Sequence, residues 1–388
     1  MNYFKNSAAS LFLFLLVTFP KANAEEAEIT TPSPPTIAAS SHILQDFNTG
    51  RVLAENNADA KLAPASLTKI LTVYVVFKEI KNGHLKLDDK VTISQNAWKT
   101  EGSKMFIQVN DQVKVEDLLK GVIIQSGNDA SVALAEHVAG NEATFAELMN
   151  QHAARLGMVN SHFENSDGLP SESHYTSARD LAILSSALIK EFPEFYPWFS
   201  QKDFTYNKIT QQNRNMLLSR DQSVDGVKTG HTEEAGYCLV ASALRDGMRL
   251  ISVVMGTESV NARANENQNL LNYGFRFFES HRLYEGKKAI QESRIWKGDT
   301  ETLQLGLTED LYVTIPRRRY NDLKATINVD KQIIAPVKMG DKLGSVTVKL
   351  KDELVATKDL VALKDVEKGG IFRRLYDSVL MMFKKNNG

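Results

Sequence analysis

Ser66 and Lys69 stand three residues apart in a stretch that favours a helix. Pro64 comes just before them, and the apolar residues that follow reach Ile80 without a helix breaker. Because residues i and i+3 share one face of a helix, the Lys69 amine can reach the Ser66 hydroxyl. A serine hydroxyl attacks only once a base takes its proton, and a lysine does so when burial lowers its pKa. The pair indicates nucleophilic catalysis, although a capping serine and a surface lysine would give the same pattern.

Two further polar groups have residue types that suit the same chemistry. Ser126 and Asn128, in S-G-N, would present a hydroxyl for proton relay and an amide for a substrate carbonyl from one turn. Lys228, Thr229 and Gly230 come just before an apolar strand. The lysine would attract an anionic substrate, the threonine would bind a carboxylate, and the glycine would let a substrate backbone approach. Each group alone is also consistent with an ordinary solvated turn.

The elements around these groups predict a sheet built from both ends of one domain, with helices inserted between. Strands are expected on either side of the turn at 48–50, and the Asp246-Gly247 pair predicts a hairpin between two later apolar runs. From about 281 to 365, short β-prone runs alternate with charged turns and predict a small all-β domain. The remaining predictions are helices at 115–125, 129–139, 142–156, 177–190 and 264–278, and hairpin strands at 237–244 and 248–256.

Composition excludes several classes of function. The formal net charge of the 388 residues is −1, which gives no basis for nucleic-acid binding. Cys238 is the single cysteine, so neither an intrachain disulfide nor a thiolate metal cluster is expected, and we expect it to be a buried apolar residue. The eight histidines show no metal-binding spacing such as H-E-x-x-H, and we predict no metal and no cofactor.

The N-terminal end is typical of a secreted protein. An apolar run at 11–19 is followed at 22–24 by the small-x-small pattern that a signal peptidase accepts. We therefore predict a signal peptide at 1–24, with an uncleaved membrane anchor as the alternative. Residues 25–36 are polar and proline-rich, which predicts a linker.

The C-terminal end, 366–388, predicts an amphipathic helix. Its apolar residues recur at steps of three and four, and five basic residues stand against two acidic ones. Such a segment is too short and too charged to span a bilayer but suits its interface, with cations near anionic headgroups. We expect a peripheral protein on the periplasmic side of the inner membrane. A helix packed on its own protein is the alternative.

The order and spacing of the three polar groups resemble a known signature. S-x-x-K, S-x-N and K-T-G, separated by about 60 and 100 residues, are typical of the serine penicillin-recognising enzymes. With S-G-N in the middle, the chain resembles the low-molecular-mass penicillin-binding proteins of the D-alanyl-D-alanine carboxypeptidase type. The resemblance covers nearly the whole mature chain, including the stretches at 64–69, 162–169, 177–180, 228–232, 235–237 and 273–276.

The resemblance implies an α+β fold: a penicillin-recognising, β-lactamase-like transpeptidase domain at 37–280, a small β domain at 281–365 and an amphipathic anchor at 366–388. It implies a serine carboxypeptidase that removes D-alanine from peptidoglycan stem peptides ending in D-Ala-D-Ala and is acylated by β-lactam antibiotics. The loop at 101–106 matches the family only partly and receives no role.

The resemblance also implies roles for nine residues. Catalysis would fall to Ser66, Lys69, Ser126 and Asn128, and substrate binding to Lys228, Thr229, Gly230, His231 and Arg263. Ser66 would be acylated, and the backbone N–H groups of Ser66 and His231 would form the oxyanion hole. We expect the His231 side chain to form part of the cleft wall, and Arg263 to lie near the substrate carboxylate.

Three other functions are consistent with parts of this pattern. A β-lactamase shares the acylation step but needs a positioned base for fast deacylation, and Glu164-Asn165 is a poor candidate for one. A D,D-endopeptidase would use the same chemistry on cross-links. A non-catalytic cell-wall binding or scaffolding protein would not need Lys69 or Lys228.

Overall fold

A computed structural model describes residues 31–385, with side chains up to Phe383. The predicted signal peptide and the first part of the predicted linker lie outside this range. From Ser33 onward the chain forms one compact unit. Its helices are α1 (Lys69–Lys81), α2 (Gln95–Lys99), α3 (Val115–Lys120), α4 (Asn128–Ala139), α5 (Glu142–Leu156), α6 (Ala178–Glu191), α7 (Leu217–Arg220), α8 (Val260–Phe277) and α9 (Ile371–Lys385).

The strands fall into an N-terminal and a C-terminal group. The first group is β1 (Ser41–Asp46), β2 (Val52–Asn56), β3 (Lys90–Thr92), β4 (Gln112–Lys114), β5 (Asp203–Tyr206), β6 (Ile209–Gln212), β7 (Val224–Thr232), β8 (Gly236–Arg245) and β9 (Met248–Thr257). The second group is β10 (Phe278–Tyr284), β11 (Ala289–Trp296), β12 (Thr302–Gly306), β13 (Leu311–Pro316), β14 (Leu323–Val329), β15 (Ile333–Ile334), β16 (Lys342–Leu350) and β17 (Glu353–Ala362).

A five-stranded antiparallel sheet in the order β2-β1-β9-β8-β7 is the frame of the first part. Successive residues of a strand face opposite sides, so β9 contributes to two cores. Ile251 and Val253 pack with the helical cluster that contains α1, whereas Leu250 and Val254 pack with α8. This arrangement confirms the predicted sheet built from both ends of the domain with helices inserted between, and it makes β7 an edge strand.

The helix predicted around Ser66 and Lys69 differs from the prediction at its start. Residues Ala65–Thr68 form a 3₁₀ turn, and α-helical geometry begins only at Lys69. From Lys69 to Phe77 every residue of α1 is buried, which is typical of a central helix surrounded by its own domain. Gly168 packs against the 3₁₀ turn so closely that a Cβ there would lie 1.8 Å from the Ala65 carbonyl oxygen. The close approach of Gly168 therefore helps to fix the turn that contains Ser66.

The predicted helix at 115–125 changes its winding halfway. α3 ends at Lys120, a π-helical turn continues to Gln125, and Ser126 follows with a left-handed φ of 63°. Single π turns occur often beside functional sites because they redirect the chain without ending the helix. Here the π turn places Ser126 just before the N-terminal end of α4. The short elements α2, α7 and β3–β6 were not predicted, since segments this short show little periodicity.

The C-terminal strands form a separate layer in contact with the first part. Six of them pair in the order β14-β16-β17-β12-β11-β15, and β10 pairs with β13. Buried aliphatic side chains form the core of these strands, which agrees with the predicted small β domain. The Arg51 guanidinium donates to the Thr314 carbonyl oxygen at 2.6 Å, and the Thr49 and Thr314 hydroxyls lie 2.7 Å apart. These hydrogen bonds join the turn between β1 and β2 to β13.

Candidate active site

Lys69 is buried beside a partly exposed Ser66. Its amine lies 3.1 Å from the Ser66 hydroxyl oxygen, 2.7 Å from the Asn128 amide oxygen and 2.5 Å from the Asp167 carbonyl oxygen. Only 1% of the lysine is accessible to solvent. When the amine is neutral, its two N–H groups can serve Asn128 and Asp167, which turns the remaining lone pair toward the Ser66 hydroxyl. That is the geometry of a general base.

The pKa of the Lys69 amine is lowered to about 8, and burial is the largest cause. The nearby Asp167 carboxylate acts in the opposite direction, as do Asp129 and Glu142, while the Arg214 guanidinium adds to the lowering. A pKa near 8 leaves a usable fraction of neutral amine at neutral pH, as the role of proton acceptor requires.

A second buried lysine lies across the cleft. The Lys228 amine donates to the Ser126 hydroxyl oxygen at 2.9 Å and to the Thr229 carbonyl oxygen at 3.0 Å. Burial, followed by the positive charge of Lys69, holds the pKa of Lys228 well below its usual range. The Ser126 hydroxyl oxygen therefore accepts a hydrogen bond from the Lys228 amine, and the hydroxyl proton stays available for a group in the cleft.

The loop at 101–107 closes one side of the site, a position that residue types alone did not indicate. The Asn128 amide donates to the Glu101 carbonyl oxygen at 2.6 Å. The buried Asp129 carboxylate accepts the backbone N–H groups of Met105 and Phe106 at 2.8 and 2.9 Å. Asn128 and Asp129 thus position the loop, and Asn128 also positions Lys69.

Arg214 is a second group that sequence reasoning missed. It lies on the loop between β6 and α7, and it donates to the Ser103 hydroxyl at 2.7 Å. Its charge contributes to the lowered pKa of both Lys69 and Lys228. No signal in the polar stretch around it distinguishes Arg214 from a solvated loop arginine. The contact of Lys69 with the Asp167 carbonyl oxygen could not be predicted either, because residue type does not indicate where a backbone acceptor lies.

Gly230 has a packing reason to be glycine. A Cβ there would lie 3.0 Å from the Pro64 carbonyl oxygen and 3.3 Å from the Ala65 Cβ. The missing side chain therefore lets β7 lie directly against the 3₁₀ turn that contains Ser66. We had expected this glycine to make room for a substrate backbone, and that role stays a prediction.

Arg263 is buried, unlike the solvated arginine typical of a helix start. It donates to the Gly230 carbonyl oxygen at 2.9 Å, so it braces β7 from behind. The exposed His231 ring stacks on Tyr237 with 3.9 Å between ring centroids, consistent with a place in the cleft wall. Contact of Arg263 or Thr229 with a substrate carboxylate stays a prediction.

The structure thus brings the S-x-x-K, S-G-N and K-T-G residues together around one cleft, at the edge strand of the sheet. Within residues 31–385, no three His, Cys, Asp or Glu side chains converge as metal ligands would. The fold and this cluster define a serine acyl-transfer enzyme.

Comparisons with known proteins give the family. The pattern of the D-alanyl-D-alanine carboxypeptidase family matches residues 28–259, and that of the penicillin-binding protein 5 C-terminal domain matches 278–368. The D-alanyl-D-alanine carboxypeptidase DacC of Escherichia coli is 45% identical over 97% of this chain and 95% of its own length. Penicillin-binding protein 5 from Haemophilus influenzae superposes with a TM-score of 0.82 at 43% identity, over 87% of this chain and all of that one.

A more distant relative agrees over a similar length. The D-alanyl-D-alanine carboxypeptidase DacF of Bacillus subtilis is 35% identical over 92% of this chain and 93% of its own length. The chain belongs to the D-alanyl-D-alanine carboxypeptidase family. The family, the fold class and the enzyme class predicted from the sequence are thereby confirmed.

Proposed function

We propose that the protein removes the terminal D-alanine from peptidoglycan stem peptides through an acyl-enzyme on Ser66. The observation that carries this proposal is the Lys69 amine, buried, hydrogen-bonded by two acceptors and 3.1 Å from the Ser66 hydroxyl oxygen. Neither a binding protein nor a scaffold needs a lysine held at such a desolvation cost.

Acylation follows from the positions of the groups. Ser66 Oγ attacks the carbonyl carbon of the penultimate D-alanine while Lys69 takes the hydroxyl proton. Charge develops on the carbonyl oxygen, where the backbone N–H groups of Ser66 and His231 would stabilise it. Ser126, backed by the Lys228 amine, passes a proton to the leaving nitrogen, the peptide bond breaks and D-alanine departs. The proton that Lys69 took from Ser66 replaces the one that Ser126 gave up, so Lys69 is neutral again. Water then attacks the ester, Lys69 takes a proton from the water, and this proton passes to Ser66 Oγ as the acyl bond breaks.

The rival β-lactamase function lacks support at the deacylation step. Glu164 is exposed, and its carboxylate is engaged by the Ser171 hydroxyl and the Ser173 N–H. Asp167 is buried, which raises the pKa of its carboxyl, and one of its oxygens accepts the Leu169 N–H at 2.8 Å. Neither carboxylate is arranged like a free base that activates water.

Intact-protein mass spectrometry after treatment with penicillin tests this proposal. We expect an adduct of one penicillin per chain that persists for much longer than the labelling takes. Rapid return of the unmodified mass with hydrolysed penicillin would instead indicate a β-lactamase, and no adduct at all would contradict a catalytic Ser66.

Lys228→Ala is expected to impair a substrate with a free C-terminal carboxylate far more than the corresponding amide. Lys228 is the lysine of K-T-G and its amine contacts Ser126, so its loss removes positive charge that would attract the substrate anion. The comparison is kcat/KM for the two peptides, and the amide is the internal control for general damage to Ser126. Equal losses for both peptides would mean that Lys228 acts only on Ser126 and Lys69.

We further propose that α9 holds the enzyme on the periplasmic face of the inner membrane. Seven large apolar side chains of this helix are more than half exposed: Ile371, Phe372, Leu375, Tyr376, Val379, Met382 and Phe383. They lie on one side of the helix, an arrangement suited to insertion between lipid headgroups. Within the described part of the chain, no helix is both long and apolar enough to cross a bilayer.

Truncation after Lys368 is expected to release the enzyme from membranes while leaving hydrolysis of small peptides unchanged, because the active site is built from earlier elements. Sedimentation with membrane vesicles measures the first effect and D-alanine release the second. A full-length chain with Phe372→Gln and Phe383→Gln is the matched variant, because it keeps the helix and its charges and changes only two side chains of the apolar face. Equal pelleting of truncated and full-length forms would place the anchor elsewhere.

A further inference from the structure

A groove of about 310 Å³ lies where α9 meets the β domain, outside the active site. Three cationic side chains line it: Lys297 from the turn after β11, Lys368 just before α9, and Arg374 from α9. Ile371 and Leu375 line the same groove and also belong to the exposed apolar face of the helix. Positive charge and lipid-facing apolar surface therefore meet at one place.

The helix does not hang free beside this groove. Asp377, 2% exposed on an otherwise exposed helix, accepts the Lys297 backbone N–H at 2.5 Å and forms an ion pair with Arg294 at 3.2 Å. The Gly369 N–H donates to the Lys297 carbonyl oxygen at 2.8 Å. These contacts hold the Lys297 turn and the start of α9 together, so the groove exists before any ligand binds.

Among the residues that the structure describes, no carboxylate forms an ion pair with the side chain of any of the groove cations, Lys297, Lys368 or Arg374. Nearby carboxylates are engaged elsewhere: Asp377 with Arg294, Glu301 with Arg373, and both Asp365 and Glu367 with Lys338. Asp299 does not line the groove. Three unpaired cations in one concave site are suited to an anion that has several acceptor oxygens.

We propose that this groove binds the phosphate of an anionic phospholipid headgroup. Ser378 also lines the groove, and its hydroxyl donates to the Arg374 carbonyl oxygen. A lipid phosphate placed between Lys297, Lys368 and Arg374 would let its acyl chains follow Ile371 and Leu375 onto the apolar face. The inference rests on the proposed anchoring by α9 and adds to it a specific lipid site shared with the β domain.

The test is partition of the full-length protein onto vesicles of phosphatidylcholine with and without phosphatidylglycerol. The single variants Lys297→Gln and Arg374→Gln each remove one cation of the groove. The single variants Lys364→Gln, in the β domain, and Arg373→Gln, in α9, each remove one cation outside the groove. A cation near an anionic surface contributes about fivefold to partition without any specific contact. We expect the partition of each control variant to fall by about that factor and the partition of each groove variant to fall on the order of 20-fold. Both losses are expected only on the vesicles that contain phosphatidylglycerol.

The outcomes separate this inference from the anchor itself. Equal losses for groove and control variants would overturn the lipid site and leave anchoring by α9 intact. Wild-type protein that binds neither vesicle would overturn both. Release of bound wild-type protein by millimolar inorganic phosphate would show that the groove takes soluble phosphate, and would also overturn the proposal.

Discussion

Ser66→Ala is expected to abolish both D-alanine release and covalent labelling by penicillin, with the fold unchanged. The side chain is partly exposed, so its replacement leaves no cavity in the core, and it removes the hydrogen bond between the hydroxyl and the Lys69 amine. Without the hydroxyl no acyl-enzyme can form, and the residual rate should be that of the cleft without a nucleophile, many orders of magnitude lower.

Ser200→Ala, at an exposed serine whose hydroxyl donates to the Pro197 carbonyl oxygen, is the matched control and should behave as wild type. Labelling with fluorescent penicillin and the thermal midpoint are measured for both variants. Persistent labelling of Ser66→Ala would remove Ser66 from the mechanism. Loss of labelling together with a large fall in the midpoint would mean that the variant reports on folding.

Lys69→Arg is expected to reduce acylation by about 10²- to 10⁴-fold, the usual contribution of a general base. The guanidinium keeps the positive charge but cannot give up a proton at ordinary pH, so the Ser66 hydroxyl has no acceptor. Lys78→Arg, on the same helix and partly exposed beside Glu191, makes the same change of side chain outside the site. Its acylation rate should equal that of wild type.

The pH dependence distinguishes loss of the base from mere crowding by the larger side chain. In the wild type only the neutral Lys69 amine accepts a proton, so the acylation rate should rise with pH through the lysine pKa of about 8 and level off above it. Below that pKa the rate should fall about tenfold per pH unit. Lys69→Arg should lose this limb of the profile. A Lys69→Arg variant that acylates at nearly the wild-type rate would show that another group is the base.

Local spacing in the sequence predicts some contacts of the candidate site and gives no information about others. Ser66 and Lys69 are linked by helical spacing, so their contact could be derived locally. The contact of Lys69 with Asn128 joins residues 59 positions apart. Local spacing carries no information about such a contact, because it depends on how α1 and α4 pack in the folded domain.

Other parts of the site depend on features that residue types do not encode. The Asp167 carbonyl, the π turn before Ser126 and the 3₁₀ turn before Lys69 are properties of the backbone fixed by tertiary packing. Arg214 is positioned by its hydrogen bond to Ser103 in the loop at 101–107, which a polar sequence does not reveal. Long amphipathic elements such as α5 were predicted at their observed bounds because periodicity accumulates over several turns.

The most direct measurement of the central claim is the time course of free D-alanine from a pentapeptide that ends in D-Ala-D-Ala. We predict one D-alanine released per peptide by the wild-type enzyme, a tetrapeptide as the other product, and no release by Ser66→Ala. A wild-type enzyme that is acylated by penicillin but leaves this pentapeptide intact would contradict the carboxypeptidase account.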